Sequence, residues 1–355
     1  MRSTATSRYA EVPPGESATE ARDAAGLAAR WWRAALSVCG AALCAYLVFR
    51  IGLTPILESF RTLSWRLLIL IVFPCVAVKT FDTLAWRAAF PHERVSFLPL
   101  ATTILAGQAI GSTPAGLIGR DAAMAWMLRD RVTFRETLSS LIILHTTSTA
   151  SQGLFLLLGI LLAQWTLATP PVLVRIMEWL LVLEVIGVVG FIAVQMRGIM
   201  AGGYRVLASL GFSSSTAMGE AATHVDEALV TFYRRQPRRL ASSFVFGFLG
   251  WTAGAGETWL ILHLLGASVS VVTALIVEAF ATGISFATFF LPTDVGVEEG
   301  GSVATFLALG LSGATGLSLV LVRRVREVAW MALGLLLLFA GNRRQSQSAL
   351  RAQRA

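Results

Sequence analysis

The sequence predicts an all-α, polytopic membrane bundle of about eight spans, with re-entrant or broken helices and a candidate inverted repeat. Three observations carry that expectation. The 355 residues are 55% hydrophobic and only 14% charged, with mean hydropathy +0.68, too apolar for an ordinary soluble domain. Apolar stretches long enough to span recur along the chain. Two of them are interrupted by glycine, proline and charge. Irregular backbone at membrane depth is tolerated only where it is buried in protein or lines a wet cavity, and paired interruptions of this kind point to a binding site.

In chain order, residues 1–30 are polar, contain Pro13 and Pro14, and read as a disordered tail. Ala34–Phe49 follows Arg30 and Arg33 and reads as a retained anchor, not a cleaved signal. The membrane domain is expected over 31–341, with spans near 33–53, 64–84, 137–165, 172–196, 240–265, 268–291, 302–322 and 325–341. A basic tail, 342–355, follows. Phe97–Gly119 is a further apolar segment with four glycines and two prolines, which break or kink a helix. Lys79, Arg87 and Arg94 precede it, and Arg120, Arg129, Arg131 and Arg135 follow. Since cytoplasmic flanks are rich in basic residues, the segment should enter and leave on one face as a re-entrant hairpin.

The loop 197–239 carries six arginines and reads as cytoplasmic. Within it Ala221, Val225, Ala228, Leu229, Phe232 and Tyr233 recur at helical spacing, followed by Arg234, Arg235, Arg238 and Arg239. Two readings are open: an interfacial amphipathic helix with a lipid-binding basic end, or a solvated loop helix. Arg323, Arg324 and Arg326 are separated from Arg343 and Arg344 by one apolar run. Either that last helix does not span, or the first cluster sits inside the protein.

The candidate site residues are charges and breaks at membrane depth. The first break runs from Gly107 through Gly111, Pro114, Gly116 and Gly119 to Arg120 and Asp121; the second runs from Pro292 through Gly296 to Glu298, Glu299, Gly300 and Gly301. Glu257, Glu278 and Glu184 lie near the middles of apolar helices. A charge at bilayer centre costs about 2.5–3.5 kcal/mol on insertion scales. Such groups must face a cavity, pair with arginines or be protonated. Glu257 and Glu278 are read as functional and Glu184 as structural. Trp251, Gly254 and Glu257 share a face suited to close helix approach. Arg323 and Glu327 form an i,i+4 pair, leaving Arg324 and Arg326 to reach Glu298, Glu299 or a headgroup. A half-helix starting near Gly296 would offer backbone N–H groups to an anion; in the competing reading, Glu298 and Glu299 merely complement that helix's dipole. Lys79–Asp82 and Arg175–Glu178 read as structural i,i+3 pairs near the interfaces.

Other classes find little support. Cys39, Cys44 and Cys75 lie in apolar runs as packing residues. The four histidines show no metal-ligand spacing, and no nucleotide-binding or hydrolase motif appears, so neither metal nor cofactor is expected. The net charge of +8 suits loop topology and anionic headgroups better than nucleic acid.

With these residues the chain resembles the lysylphosphatidylglycerol-synthase transmembrane, or flippase-like, family, and within it the hopanoid-biosynthesis-associated transporters. The resemblance covers roughly 65–341 and is carried by Tyr233-Arg-Arg, Trp251, Gly256-Glu257-Thr-Trp259, Leu265-Gly266, Glu278, Pro292, Gly296-Val-Glu-Glu299-Gly300-Gly301, Leu309-Gly310 and Arg323-Arg324-Val-Arg326-Glu327. The first half departs from the family pattern. Gly111 stands where the family has Asn, Thr113 precedes Pro114, and Met124 stands where the family has Arg, with Arg120 as a neighbouring substitute. The resemblance implies a multi-pass protein of the bacterial inner membrane, N-terminus inside, that binds and moves an amphiphilic lipid. Its partners would be membrane lipids, hopanoid or anionic phospholipid. The soluble domain of the family's lysyl-transferring members does not follow residue 341, so that activity is not expected of these residues. Two alternatives stand beside lipid transport: an integral-membrane lipid-modifying enzyme using Asp121, Glu257 or Glu299 as acid or base, and a scaffold that docks lipid-biosynthesis enzymes on 217–239.

Overall fold

A computed structural model describes residues 66–91, 95–111, 116–167, 172–198, 202–204, 216–288 and 296–352. The expected first span at 33–53, the N-terminal tail, Cys39, Cys44, Pro114 and Pro292 lie outside these residues. The described chain is all-α: α1 Arg66–Ala89, α2 Phe97–Gly111, α3 Gly116–Leu128, α4 Phe134–Thr166, α5 Val172–Met196, α6 Thr216–Arg235, α7 Pro237–Leu264, α8 Val271–Thr288, α9 Val297–Ala308 and α10 Gly313–Ala352.

Local sequence sets most of the boundaries. Thr133 caps α4, its hydroxyl accepting from the Glu136 N–H at 3.3 Å. Pro237 starts α7 where no intrahelical N–H is needed. The Leu-Gly pairs at 265–266 and 309–310 end α7 and α9, since Gly266 (φ 80°) and Gly310 (φ 72°) take the left-handed conformation that glycine adopts without strain.

By length and composition, α4 and α5 are the described helices able to cross a membrane as uninterrupted apolar rods. The other described helices are shorter or carry interior charge. The segment expected as a re-entrant hairpin is two short helices packed on each other, α2 and α3. At 15 and 13 residues they reach only about 20 Å each, short of a crossing. Cysteines at positions 93 and 133 are expected to label from the same side of the membrane; labelling from opposite sides would show that 97–119 crosses.

The C-terminal region differs most from expectation. The apolar run 302–322 is split at Gly310, and the arginine cluster lies inside one continuous 40-residue helix, α10. The basic segment expected as a tail continues that helix to Ala352. Of the two arrangements open for Arg323, Arg324 and Arg326, the structure takes the second: the cluster faces the protein interior.

Helix α7 is central, packing on α1, α4 and α8. Small residues let it do so. A Cβ at Gly247 would strike Ser151 of α4, one at Gly250 would touch Asp82 of α1, and one at Gly254 would press on Glu278 of α8. Helix α6 is amphipathic as expected, and its apolar face is covered by protein. Val225, Leu229 and Phe232 are buried against Trp86, Phe90, Leu128 and Leu141. Burial inside the bundle outcompetes the bilayer surface because these side chains find close-packed partners there.

A charged cavity between the broken helices

Charged side chains from both halves of the chain converge on a cavity of about 380 Å³. Helix α1 contributes Lys79 and Asp82, α2 Gln108, α3 Arg120 and Met124, and α4 His145 and Ser148. The other wall carries Trp251, Gly254 and Glu257 of α7, Glu278 of α8, Glu298 of α9, and Arg323, Arg326 and Glu327 of α10.

Two of its carboxylates are fixed by arginines one helix away. Glu278 and Thr258 both accept from Arg323, and the Thr258 hydroxyl also donates to Glu278 Oε2 at 2.5 Å. Glu257 pairs with Arg326. All are half-buried or buried, and Glu257 and Glu278 are nearly inaccessible. A carboxylate and a guanidinium removed from water compensate each other only with close, directional contacts, and α7, α8 and α10 approach closely enough to provide them. The partner expected for Glu327, Arg323, thus turns to Glu278. Glu327 instead lies 3.3 Å from Arg324 and 4.0 Å from Arg326.

Arg324 also reaches Glu298 at 2.8 Å and Glu299 at 3.4 Å. Glu299 is occupied structurally, because its Oε2 accepts the N–H of Gly296 at 2.6 Å and closes the first turn of α9. Gly296, with φ 86°, makes that turn possible. This is the helix-stabilising role weighed above for Glu299, whereas Glu298 in the same turn faces the cavity. Gly301 admits Ile284 of α8, and Gly107 admits Met124; a Cβ at either would collide with those side chains. Both glycines make room for a side chain of the neighbouring helix. Gly111 ends α2 and Gly116 begins α3, bracketing the first break, while Gly119 and Gly300 lie in the first turns of α3 and α9.

On the α3 side, Asp121 Oδ2 lies 2.8 Å from His145 Nε2 of α4 and its Oδ1 lies 3.5 Å from Arg120 Nε. Arg120 reaches the cavity. Met124, one turn on, is buried against Gly107.

Sequence reasoning missed Lys79, Asp82 and His145 as cavity residues. The Lys79–Asp82 contact forms as expected, at 3.0 Å, but inside the bundle, where the chain's single lysine in a long apolar run was a usable signal. His145 lies in a Thr/Ser-rich stretch of an apolar helix, which a search for metal spacing overlooks. Below the cavity Tyr233 donates to Gln195 at 2.8 Å and Gln195 to Thr146 at 3.1 Å, tying α6 to α5 and α4. Burial pushes the Tyr233 phenol above the usual tyrosine range, which preserves it as a donor. Among the described residues, no group of histidine, cysteine and carboxylate side chains has metal-binding geometry.

The sequence profile of the family described as "Lysylphosphatidylglycerol synthase TM region" matches residues 30–335. No curated protein matches the chain, and no solved structure does. The match spans most of the chain and includes every residue that lines the cavity. The chain belongs to the lysylphosphatidylglycerol synthase TM region family, a helical membrane family with a lipid-related function.

Proposed function

We propose that this protein binds an amphiphilic lipid with its headgroup in the charged cavity and moves or traffics it within or between membranes, a hopanoid or related lipid being the cargo that the sequence resemblance favours. The carrying observation is the cavity itself. Lys79, Arg120, Arg323 and Arg326 stand there against Asp82, Glu257, Glu278, Glu298 and Glu327. Such expensive groups are retained inside a membrane bundle where they serve a polar passenger. The near balance of charge suits an uncharged, hydrogen-bonding headgroup or a zwitterionic one better than a strongly anionic one. Arginines donate to phosphate or hydroxyl oxygens, and carboxylates accept from amine or hydroxyl donors.

In this reading the two breaks form an inverted pair around the headgroup, supported by Arg120 and Glu298 lining one cavity from opposite breaks. Arg120 supplies the cation that the family carries at the position of Met124. The protein is placed in the bacterial inner membrane, without nucleic-acid, metal or cofactor partners. Purified protein in liposomes is expected to redistribute a labelled lipid between leaflets without changing it covalently. Arg120→Gln should slow that redistribution at least about tenfold, the effect of about 1.4 kcal/mol, and Arg120→Gln with Met124→Arg should restore part of it. Redistribution at the wild-type rate in folded Arg120→Gln would remove Arg120 from the site.

The Asp121–His145 pair favours a second reading, an integral-membrane enzyme acting on the same lipid, since the pair can accept or supply a proton. A new lipid product in those liposomes would establish it. Redistribution with no product supports transport.

A further inference from the structure

Glu184 stands apart from the other acids among the described residues. It sits midway along α5, a helix whose neighbouring Leu183, Val185 and Ile186 face outward. Glu184 itself is only 1% exposed. Both carboxyl oxygens are buried, and neither has a hydrogen-bond partner. The room for it is made by Gly153 of α4, where an added Cβ would lie 3.4 Å from the Glu184 carboxyl carbon.

The charged and titratable groups of the helices packed on α5 are engaged elsewhere. On α4, His145 meets Asp121, and Arg135 and Glu136 lie in the first turn. On α8, Glu278 meets Arg323. On α6, Tyr233 meets Gln195, His224 meets Glu227, Asp226 lies beside Gly198, and Glu220, Arg234 and Arg235 lie toward the helix ends. On α5 itself, Arg175 and Glu178 pair near its start.

A carboxylate ion buried without a partner is costly in such a place, and a proton on the group removes that cost. A group needed only for packing would be served better by leucine or glutamine, which need no proton and carry no risk of ionising. We infer that Glu184 is a membrane-embedded proton-binding site, loaded in this conformation and emptied when α5 separates from α4. Ionisation demands water, and water reaches the carboxyl only if the Gly153 niche opens. Proton release and helix separation are therefore one event.

The test uses the full-length protein in lipid bilayers and needs no lipid substrate, so it stands apart from the transport reading. Infrared spectroscopy is expected to show a protonated-carboxyl stretch at neutral pH that Glu184→Gln removes. Alkaline titration should abolish that band and, over the same range, raise amide hydrogen exchange in α5 around Leu180–Val188 beyond the intrinsic base-catalysed increase. Folded Glu184→Gln should show only the intrinsic increase. Glu184→Leu is the second variant, keeping apolar bulk if glutamine folds poorly, and should behave alike. A band that survives both substitutions would overturn the inference, and so would loss of the band with no change in α5 exchange.

Discussion

Glu278→Gln and Arg323→Gln are each expected to destabilise the protein by about 3–5 kcal/mol, the cost of leaving one member of a buried pair uncompensated. The double variant should be markedly less unstable than the sum, because it leaves no unpaired charge. Glu278, Thr258 and Arg323 form one contact group linking α7, α8 and α10. In a non-additive group of this kind the coupling of the two single changes is the informative quantity. Reversible unfolding in mixed micelles measures it. Single variants within about 1 kcal/mol of wild type would mean that water reaches the pair and screens it. The double variant separates folding from function, since a structurally restored protein that still fails to move lipid places these charges in the transport site. Glu257 with Arg326 should behave in the same way, because that pair links α7 and α10.

Gly159→Ala is expected to cost about 1–3 kcal/mol, as overpacked interior positions do, with Gly159→Val worse. A Cβ at Gly159 would overlap that of Ala279 on α8, where α4 and α8 meet backbone to backbone. The neighbouring Phe155, Leu156, Ile160, Ile276 and Phe280 are all buried and give no room for the helices to part. Ala279→Gly should rescue Gly159→Ala by returning the space. Gly187→Ala is the control. Its Cβ would meet nothing within 4 Å, so its effect should stay within about 0.5 kcal/mol. Thermal unfolding of the four variants beside wild type in one detergent decides the matter. Equal effects at 159 and 187 would show that helix propensity, not packing, governs both positions.

Several features are determined by the sequence itself, because they follow from local chemistry. Hydropathy alone is enough to identify a helical membrane protein, since backbone polar groups in lipid have few ways to be satisfied. Glycine, proline and caps locate the ends of α4 and α7 within a few residues. Mid-helix Glu257 and Glu278 reveal themselves because charge in an apolar run is too expensive to be incidental.

Only the tertiary structure decided which cation each acid met. Arg323 could have taken Glu327 one turn along its own helix, and the placement of α8 within its reach gave it Glu278 instead. The contact of α10 with α7 gave Arg326 to Glu257, and Arg324 meets Glu298 and Glu299 of α9 and Glu327 of its own helix. Likewise Lys79 and Asp82 form the local pair their spacing implies, yet line the cavity because α1 is pressed onto Gly250 of α7. The apolar stripe of α6 was visible at its helical period, but periodicity does not say whether lipid or protein will cover it. The aromatic side chains of α1 compete for that stripe and win. Periodicity, charge and breaks are properties of neighbouring residues in the chain; partners are chosen by how helices distant in sequence cross, and that is set by the small residues that let them touch.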